Sequence, residues 1–196
     1  ANTLDTLNLS NNTQLALLSC HMNNLTSLDV SSNINLWKLN FHFNDIEFID
    51  LSNNLALKDI SCYNNAPLTG LDLSMCSNLV GLWCFECPQL TCLNLKNGNN
   101  ANYQNFQVHT NPNLSCIEVD DEIWSTNNWL GIDTWSFFSQ NCLNSCVLAV
   151  SEELNSTEIT LIKIVDVMGR LTTFTPNTPL FFIYSDGTTK KVLKVE

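Results

Sequence analysis

The chain lacks what several function classes require. Positive charge is scarce: 8 Lys and Arg stand against 19 Asp and Glu in 196 residues, a net charge of −11. Nucleic acid and anionic membrane surfaces both select a basic face, so neither is an expected partner. No apolar run approaches the length of a membrane span, so membrane insertion is not expected either. No stretch reads as a signal peptide. Ala1 opens the chain in mid-repeat without a methionine, so a processed or truncated product is expected. Signatures of catalysis are also missing. There is no GxSxG nucleophile motif and no glycine-rich phosphate loop. Three histidines leave little for acid–base work, and His109 has no evident partner. A non-enzymatic protein without a cofactor is expected.

What the chain has is leucine and asparagine in a fixed rhythm. Residues 25–33 read LTSLDVSSN, and the unit returns as LWKLNFHFN at 36–44, IEFIDLSNN at 46–54 and LKDISCYNN at 57–65. Apolar triplets begin at Leu7, Leu18, Leu28, Leu39, Ile49, Ile60, Leu71, Leu82 and Leu93, in steps of ten or eleven. Self-similarity at a fixed period marks a solenoid. Each triplet alternates inward, outward, inward, as a strand does. Ten or eleven residues hold a strand and a corner, but not a strand and a helix. The expected coil is therefore two such steps, with a strand on each side. Coils stack at roughly 4.8 Å, which gives two parallel sheets around a leucine core.

Asn12, Asn23, Asn33, Asn44, Asn54 and Asn65 share one register, with Cys76 and Cys87 at its next two positions. An inward asparagine can donate to and accept from corner backbone that would otherwise be unpaired. The two faces differ. One carries Asn8, Asp29, Asp50, Asp72 and Asn94 outward. Aspartates one coil apart repel by about 0.8 kcal/mol in water, which calcium on Asp29, Asp50 and Asp72 would relieve. Bonding to Ser31, Ser52 and Ser74 or to water would relieve it equally. The other face carries His21, His42, Tyr63 and Phe85 in one column, and Ser19, Asn40, Ser61 and Trp83 in the next, with Trp37 and Phe43 nearby. It reads as aromatic and nearly uncharged. Trp37, His42, Phe43, Tyr63, Trp83 and Phe85 are the candidate ligand-binding residues, because a contiguous apolar patch marks an interface. His21 and His42 alone supply two metal ligands without a third.

Nine cysteines are many for a cytosolic chain, and the odd number leaves at least one without an intrachain partner. Cys84 and Cys87 form a CxxC, with Cys76 and Cys92 around it, which taken alone suggests zinc. The repeat accounts for three of these four: Cys84 is an inward residue of its triplet, and Cys76 and Cys87 stand at the asparagine position. No basic neighbour lowers a thiol pKa there, so redox catalysis is not expected. The pairing of Cys76, Cys87, Cys92 and Cys146 stays open.

After Lys96 the spacing loosens. Further strands are expected at 106–108 and 116–119. Residues 120–142 bring Trp124, Trp129, Trp135, Phe137 and Phe138, apolar bulk suited to closing an open solenoid end, with Asp120 the candidate cap of a short helix through Ser125. Leucine–asparagine periodicity stops at Val147, and β-branched residues and lysine appear. There 159–167 reads as a strand, Gly169-Arg170 as a turn, and 180–184 with 188–195 as a hairpin across Asp186-Gly187.

The LxxLxLxxN register over residues 4–119 resembles bacterial leucine-rich repeats with nested half-repeats, where cysteine is an accepted substitute for the asparagine. NPNLSCIEVDD through FFSQNC resembles the terminal cap of secreted Bacteroidetes leucine-rich-repeat proteins, and that resemblance implies a Cys116–Cys142 disulfide. IKIVDVMGR and PLFFIYSDGTTKKVLKVE resemble the C-terminal sorting domain of the type IX secretion system, without that family's usual asparagine-proline entry motif and in reduced length. The fold class expected is mainly β: a leucine-rich-repeat solenoid (1–119) with its cap (120–146), followed by a small antiparallel β domain (147–196). The resemblances imply a secreted or outer-surface protein that binds a protein or glycan and meets the type IX secretion machinery through its C-terminal domain. The alternative is a structural or adhesive spacer, or a non-catalytic module of a larger secreted enzyme.

Overall fold

Leucines that recur every ten or eleven residues can all be buried only if the chain coils about them. In the computed structural model it does so. The structure describes residues 3–142 and 146, together with the backbone of 161–165, 180–184 and 189–192. Two compact units divide at residue 148.

The first unit is a parallel β-solenoid of about six turns with two sheets. Leu17–Ser19, Lys38–Asn40, Asp59–Ser61, Gly81–Trp83 and Asn105–Gln107 form the first sheet. Their middle residues align coil on coil as Leu18, Leu39, Ile60, Leu82 and Phe106. Gly70–Asp72, Cys92–Asn94, Cys116–Glu118 and Phe137–Ser139 form the second, through Leu71, Leu93, Ile117 and Phe138. These middle residues are buried in one continuous apolar core. Leu25, Leu36, Ile46, Leu57, Leu68, Leu79, Leu90 and Leu114 fill that core between the sheets.

Two details depart from the expected register. Strands of the first sheet begin one residue before the apolar triplets, so each strand carries two outward residues and one inward. The second inward residue of the triplet (Cys20, Phe41, Cys62 or Cys84) lies just past the strand, still buried. On the second side, Leu28 and Ile49 are buried in the expected column, but their segments form no strand. Paired strands begin there only at Gly70.

Corner asparagines do the work expected of an inward amide. Nδ2 of Asn44 donates to the carbonyls of Phe41 (2.9 Å) and Cys20 (3.1 Å), and its Oδ1 accepts from the Leu25 N–H (3.0 Å). Asn65 repeats this one coil on, and Asn111 pairs with Cys84 and Cys87 in the same way. At the other corner, Nδ2 of Asn33 donates to the Asn12 and Leu9 carbonyls, and Nδ2 of Asn54 to those of Val30 and Asn33. There the Oδ1 atoms of Asn33 and Asn54 are buried without a partner.

Beyond residue 119 the solenoid continues. Phe137–Ser139 pairs in parallel with Cys116–Glu118, and Val108 bridges to Ile132. A helix, Glu122–Asn128, crosses between them. Its N-cap is Asp121, not Asp120: the Asp121 carboxylate accepts from the Ile123 (3.0 Å) and Trp124 (2.9 Å) N–H groups. Asp120 is occupied elsewhere, accepting from the backbone of Gly98 and Asn100. Trp129 closes the core by stacking on Phe106 at 4.2 Å and meeting Phe138 edge-on. Trp135 and Phe137, expected to share that task, are exposed.

Cys116 is bonded to Cys142, and Cys92 to Cys146. Both Cys92 and Cys116 open strands of the second sheet, so both disulfides cross-link that side. Among the described residues of the second unit, Leu161–Val165, Leu180–Tyr184 and Thr189–Val192 pair in that order as an antiparallel sheet. The expected turns at Gly169-Arg170 and Asp186-Gly187 lie outside the described residues.

Candidate ligand-binding face

Because each strand of the first sheet points its first and third residues outward, stacking the coils makes columns. The first column is Leu17, Lys38, Asp59, Gly81 and Asn105, and the second is Ser19, Asn40, Ser61, Trp83 and Gln107. Two residues past the strand ends a third column holds His21, His42, Tyr63, Phe85 and His109. Here the coil spacing brings successive rings within stacking distance. His21 stacks on His42 at 4.5 Å, His42 on Tyr63 at 4.3 Å, Tyr63 on Phe85 at 4.3 Å and Phe85 on His109 at 5.1 Å. Interplanar angles of 14°, 10°, 6° and 17° make one unbroken stack of five rings. The faces of the three inner rings are spent on each other, so the column turns ring edges outward. Burial first, and the neighbouring His21 charge second, hold the His42 imidazole below its ordinary pKa. Ser19 Oγ lies 2.8 Å from His21 Nδ1, and Ser61 Oγ lies 3.2 Å from His42 Nδ1.

Immediately after each ring the backbone turns through the left-handed region. Met22, Phe43, Asn64, Glu86 and Thr110 all have φ between 54° and 60°. For residues other than glycine this costs roughly 1–2 kcal/mol each. The cost is offset by a regular ladder: Met22 N–H donates to the His42 carbonyl, Phe43 to Tyr63, and Asn64 to Phe85. Phe43 leans back over the column, edge-on to Tyr63 at 5.4 Å.

Between the columns runs an open groove of about 410 Å³, lined by Lys38, Asn40, Ser61, Tyr63, Trp83 and Phe85. Gly81 lies against the Trp83 ring that lines it. A Cβ there would collide with the Asp59 carboxylate and come within 2.9–3.0 Å of the Trp83 benzo ring. The indole therefore reaches back along the sheet over Gly81 instead of standing away from it. A glycine inside a strand marks such a close approach. Among the described residues, the side chains of Lys38, Asn40, Asp59, Tyr63 and Trp83 make no hydrogen bond to protein, so their polar atoms are open to a ligand.

The opposite face is committed to itself. Asp29, Asp50 and Asp72 each accept from the backbone N–H two residues on, at Ser31, Ser52 and Ser74, at 2.9 Å, and Asn94 does the same for Lys96. Side-chain and then backbone bonds from Ser31 hold the Asp29 carboxyl below its ordinary pKa. Among the described residues, no group of three or more His, Cys, Asp or Glu is placed to hold a metal. The CxxC surroundings separate: Cys92 is in a disulfide, while Cys20, Cys62, Cys76, Cys84 and Cys87 are buried free thiols. Burial pushes the Cys20 thiol up to about 11 and Cys76 to about 12. Cys87 is raised first by its hydrogen bond with Cys84 and then by burial. Thiols so raised stay protonated at neutral pH and are poor nucleophiles.

Of the six candidate binding residues, His42, Phe43, Tyr63, Trp83 and Phe85 come together. Trp37 is exposed but sits upstream of its strand, in line with Ala16 and Lys58, and stacks on none of them. The face is also more charged than expected, with Lys38 and Asp59 beside the groove and Glu86 bonded to Asn64 at its edge. His109 joins the ring column by stacking on Phe85, and its Nδ1 lies 3.0 Å from Thr110 Oγ1. A longer coil before it hides that register in the sequence.

The fold and its repeats define the class: a parallel β-solenoid with leucine-rich-repeat-like coils. No protein-family model matches the chain, and no curated protein matches it. Among solved structures, the functional domain of InlJ from Listeria monocytogenes, described as including a cysteine ladder, is similar at 20% identity with a TM-score of 0.43. The likeness covers 100% of this chain, which spans 60% of that one. Among the described residues, no helix is long and apolar enough to cross a membrane.

Proposed function

We propose that the chain is a non-catalytic binding protein of the extracellular space or bacterial outer surface, recognising a protein or glycan on the first sheet of its solenoid. One observation carries this reading: the two faces differ in what their side chains are doing. On the second side the outward carboxylates of Asp29, Asp50 and Asp72 are tied into their own turns, and two disulfides tie the first residues of two strands to the segment after the last strand of that side. On the first, an aromatic stack borders a groove in which, among the described residues, the side chains of Lys38, Asn40, Tyr63 and Trp83 have no protein hydrogen-bond partner. Paired disulfides also favour an oxidising compartment. A purely structural spacer has no need of such a groove. The test pairs Tyr63→Ser and Trp83→Ser against Asp50→Ser on the opposite face. Binding to cells or immobilised glycans is expected to fall for the first pair only. Loss with Asp50→Ser and retention with the pair would reverse the choice of face.

The sorting role rests on the resemblance of the last fifty residues to type IX secretion domains. Deleting residues 180–196 is expected to leave the solenoid folded and stop export at the outer membrane. Normal export of the shortened chain would leave that region a structural domain only.

A further inference from the structure

The groove on the first sheet narrows the ligand class, given that this sheet is the binding face. We infer that it is a subsite for a neutral oligosaccharide, seated against Trp83 with its hydroxyls on Lys38, Asn40, Asp59 and Tyr63. The stack itself is not the platform. A sugar ring packs its C–H groups on an open aromatic face, and the faces of His42, Tyr63 and Phe85 are covered by neighbouring rings 4.3–5.1 Å away. Trp83 is different. It belongs to the adjacent column, between Ser61 and Gln107, and no ring stacks on it among the described residues. Gly81 gives its indole room to lie back along the sheet. An aromatic laid along a surface offers apolar area at little cost in conformational freedom.

The polar inventory around Trp83 is mixed, and that decides the charge of the ligand. Lys38 and the Trp83 indole N–H only donate, Asp59 only accepts, and Asn40 and Tyr63 do both. A chain of sugar hydroxyls, each donor and acceptor, can answer all of them. An anionic ligand would meet Asp59 beside the groove and a net charge of −11 over the chain. A cationic one would meet Lys38. The groove's volume of about 410 Å³ and its open form suit one or two rings of a longer chain.

The probes are hexasaccharides of glucose in α and β linkage, of mannose and of N-acetylglucosamine, with a sialylated glycan as the acidic control. They are titrated calorimetrically into the whole chain. At least one neutral hexasaccharide is expected to bind, and the sialylated glycan is not. Trp83→Ala is expected to weaken that binding roughly tenfold or more, as loss of a central aromatic anchor does. Gly81→Ala, which keeps the indole but takes the space beneath it, is expected to weaken it severalfold with the thermal midpoint nearly unchanged. Asp50→Ser is expected to change nothing. Failure of every neutral hexasaccharide, or binding indifferent to both Trp83→Ala and Gly81→Ala, overturns the inference. If no sugar binds while the Tyr63→Ser and Trp83→Ser pair abolishes attachment to a protein, the binding face stands and the glycan class falls.

Discussion

The two faces of this solenoid are made from the same repeat, and they use their polar residues in opposite ways. Asp50 and Asp59 show the difference. Both are outward residues, one on each face. Asp50 is bonded to the Ser52 N–H, while Asp59 bonds to no protein group and leans over Gly81 beside Trp83. A carboxylate that closes its own turn contributes to the fold and has less left for a partner. A carboxylate left open contributes little to the fold, because water serves it well in the free protein. Exposed polar groups with no local duty are therefore a better guide to a binding surface than polarity itself.

The largest test of this contrast is removal of the cross-links. Cys92→Ser with Cys116→Ser opens loops whose ends are 54 and 26 residues apart. The loss is expected to exceed roughly 4 kcal/mol on a chain-entropy argument. It would be read as a lower urea midpoint, with binding on the first sheet intact wherever the protein is still folded. A loss of affinity in the folded double variant would mean that the disulfides also shape the first face.

Next come the cores behind each face. Ile60 and Ile49 are both buried, but only Ile60 lies in a paired strand. Either change to alanine is expected to cost about 2–5 kcal/mol, with Ile60→Ala the costlier because a hydrogen-bonded sheet collapses less readily around a cavity. Equal costs in chemical denaturation would show that strand pairing adds no rigidity there. The corners follow. Asn44→Ala strips partners from two carbonyls and a buried N–H, for a loss of roughly 1–3 kcal/mol. Asn54→Ala loses amide bonds only and also removes an unpartnered Oδ1, so its loss is expected to be smaller.

The smallest effect is a pH dependence confined to the first face. His42 has a folded pKa below its ordinary value of 6.5. Above pH 6.5 it is neutral in both states and adds no pH dependence. As pH falls below 6.5 the unfolded chain takes the proton first, so stability declines until pH passes the folded value. His42→Phe keeps a ring in the stack and is expected to flatten this part of the profile. An unchanged slope in thermal unfolding between pH 7 and 5 would place the dependence elsewhere.

Much of this arrangement was legible in the leucines and asparagines, because burying a repeated apolar residue admits few solutions. The inward columns, the corner amides and the aromatic column through Phe85 follow from register alone. Register failed where a coil changed length. His109 follows Phe85 by 24 residues, where earlier neighbours in the column are 21 or 22 apart, and so it fell out of line. Strand starts were displaced by one residue because apolar pattern reports burial, whereas strands are defined by backbone pairing. Gly81 lay one residue before the expected strand, and what it makes room for depends on the direction of Trp83. The Cys92–Cys146 bond was not readable, since sequence spacing alone does not choose among cysteine pairings.

The row of left-handed corners has a consequence for how this face can change. Met22, Phe43, Asn64, Glu86 and Thr110 hold a conformation that glycine would adopt without steric penalty, and of these only asparagine is a usual occupant. A thioether, a phenyl ring, an amide, a carboxylate and a hydroxyl all occupy the same corner on the same backbone. The fold is therefore nearly indifferent to side-chain chemistry at these five positions, each of which directly follows a ring of the column. Variation there can alter the surface one coil at a time without renegotiating the core, so the row is where related chains would diverge first and where a randomised library would best be built.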